Sequence, residues 1–306
     1  MNKDSKRSID KAIDLQIVLA IVVTLIFWAS AFAGIKVGLK AYSPGDLVLL
    51  RFLTASLVLL IYAFITRMSL PEKKDIPMLL FLGFIGITVY HLALTYGELK
   101  VTAGSASLLI ASAPVFTAVL AKFILKEQIS VWGWVGVFLS FFGIGLVVRG
   151  EGSTVSIEPA AFLIILSAVS TSFFFVLQKP YLKKYSPLKF TAYAIWGGTL
   201  FQLVFLGGLF ENIKEAPVES TLAIVYMGVF PAALAYVSWA YVLSRIPASV
   251  AGSYLYLSPV MAIFIAWIWL REVPTFLSLI GGCLALTGVI IVNVWGKIAI
   301  KKFLCL

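Results

Sequence analysis

Long apolar runs separated by short polar breaks make up most of this chain. Ten runs stand out, at roughly 15–36, 44–66, 76–98, 102–124, 130–149, 159–179, 188–210, 219–243, 247–270 and 275–296. The hydrocarbon core of a bilayer is about 30 Å thick, and a helix crosses it with ~20 apolar residues. Each run therefore predicts a transmembrane helix. Because the runs are apolar on every side, helical periodicity says little inside them. The breaks say more. Ser43-Pro44, Ser186-Pro187 and Ile246-Pro247 open runs, as proline in a first helical turn does. Pro71, Pro77, Pro180 and Pro274 flank run ends. Pro114, Pro231 and Pro259 lie inside runs and predict kinks, which survive in lipid where neighbouring protein or a cavity satisfies the freed backbone groups.

Composition agrees. Apolar residues make up 61% of the chain and charged residues 12%, with a mean hydropathy of +1.03. Soluble domains carry about 45–50% and about 25%, so water is the wrong solvent for this surface. Net charge is +10. In a soluble chain that would point to nucleic acid. Here the bases sit between apolar runs, so membrane topology accounts for them and no nucleic-acid partner is expected. With the N-terminus inside, Lys3, Lys6, Arg7, Lys11, Arg67, Lys73, Lys74, Lys122, Lys126, Lys179, Lys183, Lys184, Lys189, Arg245, Lys297, Lys301 and Lys302 are all cytoplasmic. The opposite side receives only Lys36, Lys40, Arg51, Lys100, Arg149, Lys214 and Arg271. The positive-inside bias then places both termini in the cytoplasm. Ala29-Ser30-Ala31 resembles a signal-peptidase site, but the run continues to Leu39 and cleavage is not expected. Cys283 and Cys305 make neither a disulfide framework nor a zinc spacing. No phosphate loop is present, and no cofactor or metal is expected.

The strongest sequence signal is an internal repeat. Adding 145 to first-half positions pairs Gly83 with Gly228, Tyr96 with Tyr241, Lys100 with Arg245, Ala103 with Ala248 and Ala106 with Ala251. The same offset pairs Pro114 with Pro259, Glu127 with Glu272, Gly136 with Gly281 and Gly143 with Gly288. Earlier in each half the offset is 143, and Lys36, Leu39, Lys40 and Tyr42-Ser43-Pro44 meet Lys179, Leu182, Lys183 and Tyr185-Ser186-Pro187. Chance matches are common for Leu, Val and Ala and rare for these residues. Five helices per half is an odd number, so the second half enters the membrane from the opposite side. Inverted repeats of this kind are a device of alternating-access transporters.

Phe27-Trp28-Ala29-Ser30-Ala31-Phe32, Lys36, Pro44 followed by Arg51-Phe52, and Ala93 to Tyr96 carry a family resemblance. So does the stretch from Ala113-Pro114-Val115 through Leu125-Lys126-Glu127 to Gly136 and Gly143. It returns as Ser258-Pro259-Val260 through Leu270-Arg271-Glu272 to Gly281 and Gly288. Over nearly its whole length the chain resembles the EamA-type branch of the drug/metabolite transporter (DMT) superfamily. The resemblance implies an all-α membrane protein of ten transmembrane helices, arranged as two inverted five-helix repeats over 15–149 and 159–296. These lie between a cytoplasmic segment 1–14 and a basic cytoplasmic tail 297–306. It also implies a bacterial inner-membrane location and efflux or exchange of small metabolites such as amino acids or drugs.

The 14 carboxylates all fall at or beyond run ends, Glu98 among them. Proton-coupled carriers usually hold a buried acid, so this distribution favours neutral or zwitterionic substrates and facilitated transport or exchange. His91 is the only histidine. It reads either as a titrating or substrate-bonding group or as a neutral histidine bonded to a neighbouring helix. Arg51 reads either as an attractor of carboxylates at the outer mouth or as a side chain snorkelling to the headgroups. Glu127 and Glu272 read as gating charges or, more simply, as carboxylates that fix helix ends. Aromatics deep in the runs are the candidate cavity wall: Trp28, Tyr90, Tyr96, Tyr236, Trp239, Tyr241, Tyr254 and Tyr256. Ser30, Thr95, Ser105, Ser107, Gln178, Ser238 and Ser253 are hydrogen-bonding candidates, or simply small residues that let helices approach.

A single histidine and the lack of a Cys/His cluster leave little from which to build an active site, so no enzyme is expected. The expected function is a secondary carrier of amino acids or related neutral or zwitterionic compounds, as a monomer or homodimer in the lipid bilayer. The alternatives are a multidrug or organic-cation proton antiporter, and a membrane protein that transports nothing.

Overall fold

The computed structural model describes residues 3–124, 130–151, 158–245 and 254–303, and every regular element among them is helical. The first half contains α1 (Lys3–Gly38), α2 (Pro44–Ile65), α3 (Lys73–Gly97), α4 (Ala103–Ile110), α5 (Ala113–Ile124) and α6 (Val131–Glu151). The second contains α7 (Ala160–Leu177), α8 (Lys179–Lys184), α9 (Pro187–Gln202), α10 (Leu209–Glu215), α11 (Val218–Arg245), α12 (Ser258–Leu270) and α13 (Phe276–Phe303).

Five described helices are long and apolar enough to cross a membrane, ending at Gly38, Ile65, Gly97, Lys184 and Arg245. The pair Pro187–Phe205 and Leu209–Glu215, bent by 82°, makes a sixth if it is one span. The other four predicted runs hold shorter apolar stretches: Ala103–Thr117 across the turn between α4 and α5, Val131–Val147 within α6, Ser258–Leu270 as α12, and Phe276–Ile291 within α13. The protein is thus a multi-pass membrane protein, but helix length alone does not establish ten crossings. Its outer surface is apolar, with Leu60, Phe64, Phe138, Phe162, Leu222, Val260 and Trp267 exposed, a surface suited to lipid rather than water.

Pro114 and Pro259 each stand in the first turn of α5 and α12, where a missing N–H costs no bond. A short turn at Ala111–Ser112 joins α4 to α5, and the 3-10 turn Leu255–Leu257 runs directly into α12. Pro231 does lie inside a helix, within a π-turn at Gly228–Leu234 of α11. A second π-turn, Phe84–Val89, interrupts α3 at the corresponding place. The widened turns release carbonyls to side chains of other helices. Ser170 Oγ of α7 donates to Ile85 O at 2.6 Å, and Trp28 Nε1 of α1 donates to Pro231 O at 3.1 Å.

The repeated Tyr-Ser-Pro has a local physical role. Ser43 and Ser186 are both N-caps in extended conformation, accepting from the backbone N–H of Asp46 and Lys189, with proline in the first turn behind each. The tyrosines act over longer range. Tyr42 OH bonds Thr221 Oγ1 at the start of α11. Tyr185 OH donates to the Asp75 carboxylate and accepts from Glu72 N at the start of α3. Lys184 pairs with both Glu72 and Asp75 there. Hydrogen bonds from Lys184 and then Lys74 hold the Glu72 carboxyl below the usual carboxylate range.

The two halves interlock. α1 packs on α12 and on the second part of α11, while α7 packs on α5 and on the second part of α3. α6 and α13 pack along one another. They are antiparallel, because Gly143 lies against Gly281 and Gly136 against Gly288. Gly83 abuts Ala194 O, and Gly228 abuts Arg51 O, so in both places two backbones touch where a side chain would separate them.

Positions related by the sequence repeat also touch each other directly. Ser140 Oγ donates to Ala285 O at 3.0 Å. His91 Nε2 lies 3.1 Å from Tyr236 OH. Ser56 Oγ lies 2.9 Å from Thr199 Oγ1. The first two pairs are separated by 145 residues and the third by 143, the two offsets of the repeat.

Candidate functional site

One of these contacts, His91 with Tyr236, is the centre of a polar group buried among the helices. α3 supplies Tyr90, His91 and Thr95, and Glu98 follows as its C-cap residue. Steps of four and three residues put His91, Thr95 and Glu98 along one face. α11 supplies Tyr236 and Trp239, α1 supplies Trp28, and α2 supplies Arg51 and Phe52. The π-turn before Tyr90 and the one before Tyr236 set the rotation of both helices, so their mid-helix residues meet.

The aromatic packing is continuous. Trp28 meets Tyr236 edge-to-face with centroids 5.3 Å apart and lies 5.6 Å from Trp239. His91 packs at 4.6 Å on Phe52 and at 4.4 Å on Tyr90. Arg51 stacks its guanidinium over Phe52 at 5.5 Å. Arg51 is only 2% exposed and Glu98 is fully buried. Several buried polar atoms in this group have no partner among the described residues: Arg51 Nε, His91 Nδ1, Thr95 Oγ1, both Glu98 oxygens and Trp239 Nε1. Taking a carboxylate or guanidinium out of water costs several kcal/mol per ion, and buried polar groups in proteins are normally bonded. Apart from the Gln202 amide, every buried side-chain polar atom without a partner among the described residues belongs to this group.

Two charge readings change. Arg51 is enclosed by the helices and does not snorkel to headgroups. It lies in the electrostatic field of Tyr236, Tyr90 and Glu98. Glu98 stands at a run end and is nevertheless a fully buried acid. Its field partners are Lys36, Glu272 and Arg51. The argument against proton coupling from the distribution of carboxylates therefore loses its premise.

Other candidates are placed as follows. Ser30 is buried, donates to Phe27 O and bonds Tyr226 OH at 2.8 Å. Tyr96 and Tyr254 are 41% and 40% exposed and stand apart from the buried group. Tyr241 bonds Gln16 Oε1 and lies under the Arg245 guanidinium. Glu272 Oε2 accepts from Ala103 N at 3.2 Å. It fixes the start of α4, where a carboxylate also suits the positive end of the helix dipole. Glu127 and Ser253 lie outside the described residues, as does the side chain of Tyr256. Sequence reasoning missed Glu98 and Phe52 as parts of this group. The only signal for Glu98 was its spacing from His91 and Thr95.

The EamA-like transporter family matches the chain twice, over residues 15–149 and 158–294. The uncharacterized transporter YdfC of Bacillus subtilis (strain 168) is 42% identical, covering 94% of this chain and 96% of its own. A protein of Streptantibioticus cattleyicolor named "Probable terminal-alkyne amino-acid exporter" is 37% identical, covering 90% and 93%. An uncharacterized transporter of Archaeoglobus fulgidus is 32% identical over 90% and 97%. One solved crystal structure superposes with a TM-score of 0.64 over 92% of this chain and 98% of that one. At 16% identity the likeness is one of fold.

Proposed function

We propose that this chain, which belongs to the EamA-like transporter family, carries small metabolites across the bacterial inner membrane by alternating access between two inverted five-helix halves. The halves are residues 15–149 and 159–296, ten crossings in all, with the short ends 1–14 and 297–306 in the cytoplasm. The observation that carries the reading is contact between repeat-related residues on antiparallel or crossing helices: Ser140 with Ala285, His91 with Tyr236, and Ser56 with Thr199. Residues exchanged by a two-fold rotation touch only near its axis. A pseudo-two-fold axis in the membrane plane lets one conformation and its mirror role open to opposite sides. The polar group around His91 lies on that axis, where a substrate would be reached from either side in turn.

Amino acids are the leading substrate class, in line with the name of one relative. The direction of net transport is outward or exchange, and the working unit is a monomer or homodimer. The proton-antiporter alternative gains a specific observation in the buried carboxylate of Glu98.

The test is counterflow in proteoliposomes of the purified full chain, combined with single cysteines at Leu243 and Ser56 labelled from each side. Saturable exchange, with labelling that shifts between sides when substrate is added, is expected. Exchange that never saturates, or labelling from one side only under all conditions, would exclude alternating access.

A further inference from the structure

Arg51 and Glu98 are both buried, a base on α2 and an acid at the end of α3, two helices that pack on one another. Yet they do not pair. Among the described residues the ion pairs are those joining Lys74 and Lys184 to Glu72 and Asp75 in the loops, and neither Arg51 nor Glu98 takes part. Arg51 Nε and both Glu98 oxygens also have no hydrogen-bond partner among those residues. Their neighbours do not neutralise them. Glu272, near Glu98, is already engaged at Ala103 N, and Lys36 is half-buried on α1 without an ion pair among the described residues. A buried pair of opposite charges held apart suits a ligand that bears both complementary charges and has no net charge.

We propose that Arg51 and Glu98 are the two poles of a zwitterion site, the guanidinium taking a carboxylate and the Glu98 carboxylate taking an ammonium. Phe52, Tyr90 and Trp28 provide the adjoining aromatic surface. The ligand class is a neutral α-amino acid with an apolar side chain. An anion alone would leave Glu98 uncompensated, and a cation alone would leave Arg51 so. The guanidinium fork suits a carboxylate in particular. This inference rests on the transporter reading above and gives its substrate a chemical definition.

The experiment uses the full-length protein in liposomes loaded with a mixture of the proteinogenic amino acids, with exchange followed by mass spectrometry. For each amino acid moved, its decarboxylated amine and its N-acetyl derivative are tested alongside. The native protein should move one or more neutral amino acids and neither derivative. Arg51→Gln and Glu98→Gln should each lower kcat/KM by roughly 30-fold or more, the scale for removing one member of a buried charge contact. Arg51→Lys and Glu98→Asp, which keep the charge, should recover part of that loss, and detergent melting of each variant separates this from misfolding. If Glu98→Gln stays within about twofold of native, or the amine is carried as well as its parent, the site is refuted. It is refuted equally if Lys36→Gln costs as much as Glu98→Gln, because Glu98 would then serve only to balance Lys36. Saturable exchange of an organic cation without any amino acid would overturn the zwitterion site and leave the carrier reading standing. Absence of any saturable exchange would remove both.

Discussion

The two halves of this protein share a scaffold and differ in chemistry. Gly83 and Gly228 bring backbones together at equivalent places, against Ala194 O and Arg51 O. The N-caps at Ser43 and Ser186 and the two π-turns match as well. At the polar group the match stops. The position equivalent to Arg51 holds Ala194, that of Thr95 holds Ala240 and that of Glu98 holds Leu243. Charge sits on the first half, while the second contributes Tyr236 and Trp239. Repetition supplies a framework with two related states. A site for an asymmetric small molecule needs unlike groups across the axis, and the halves have diverged where such a molecule would lie.

The comparison can be broken most severely at the α6–α13 seam. Gly143→Leu should drive the helices apart, since a Cβ there already collides with Gly281 O and Ala285 N. It should lower stability in detergent by about 3 kcal/mol or more, read as loss of the monodisperse species. Gly83→Ala and Gly228→Ala are milder, and they sharpen the contrast. Each places a Cβ against a carbonyl, at 2.5 Å from Ala194 O and 2.6 Å from Arg51 O, and each should cost about 1–3 kcal/mol. Only Gly228→Ala should also depress transport per folded molecule, because it displaces the backbone that carries Arg51.

At the axis, Tyr236→Phe leaves His91 Nε2 without its partner and should cost about 1–3 kcal/mol. Adding His91→Phe should recover part of this in a double-mutant cycle; strictly additive losses would mean that the 3.1 Å contact carries no energy. Leu243→Met, at the position equivalent to Glu98, should cost less than about 1.5 kcal/mol and leave transport unchanged. The smallest effect is expected at the loop ion pairs. Lys184 and Lys74 depress the titration of Glu72. Its contribution is therefore present above the unfolded-state value and fades as acid protonates the folded carboxylate. Glu72→Gln should flatten the acid side of the melting profile slightly, and less so in high salt.

The sequence by itself determined the solvent, the helical class and the repeat. Apolar runs of membrane-spanning length leave no other way to satisfy the backbone in lipid, and rare residues such as Tyr-Ser-Pro and Pro betray duplication where Leu and Val cannot. It also nominated Trp28, Tyr90, His91, Thr95, Tyr236 and Trp239. It could not say that Tyr96, Tyr241 and Tyr254 stand elsewhere, because a helix apolar all round gives no sign of which side faces protein and which faces lipid. Tertiary structure alone decided that Arg51 and Glu98 are buried. Each lies near the end of a run, where a lone helix would reach water, and only neighbouring helices close over it. Burial of a charge depends on what the rest of the chain places around it, and that is fixed in three dimensions.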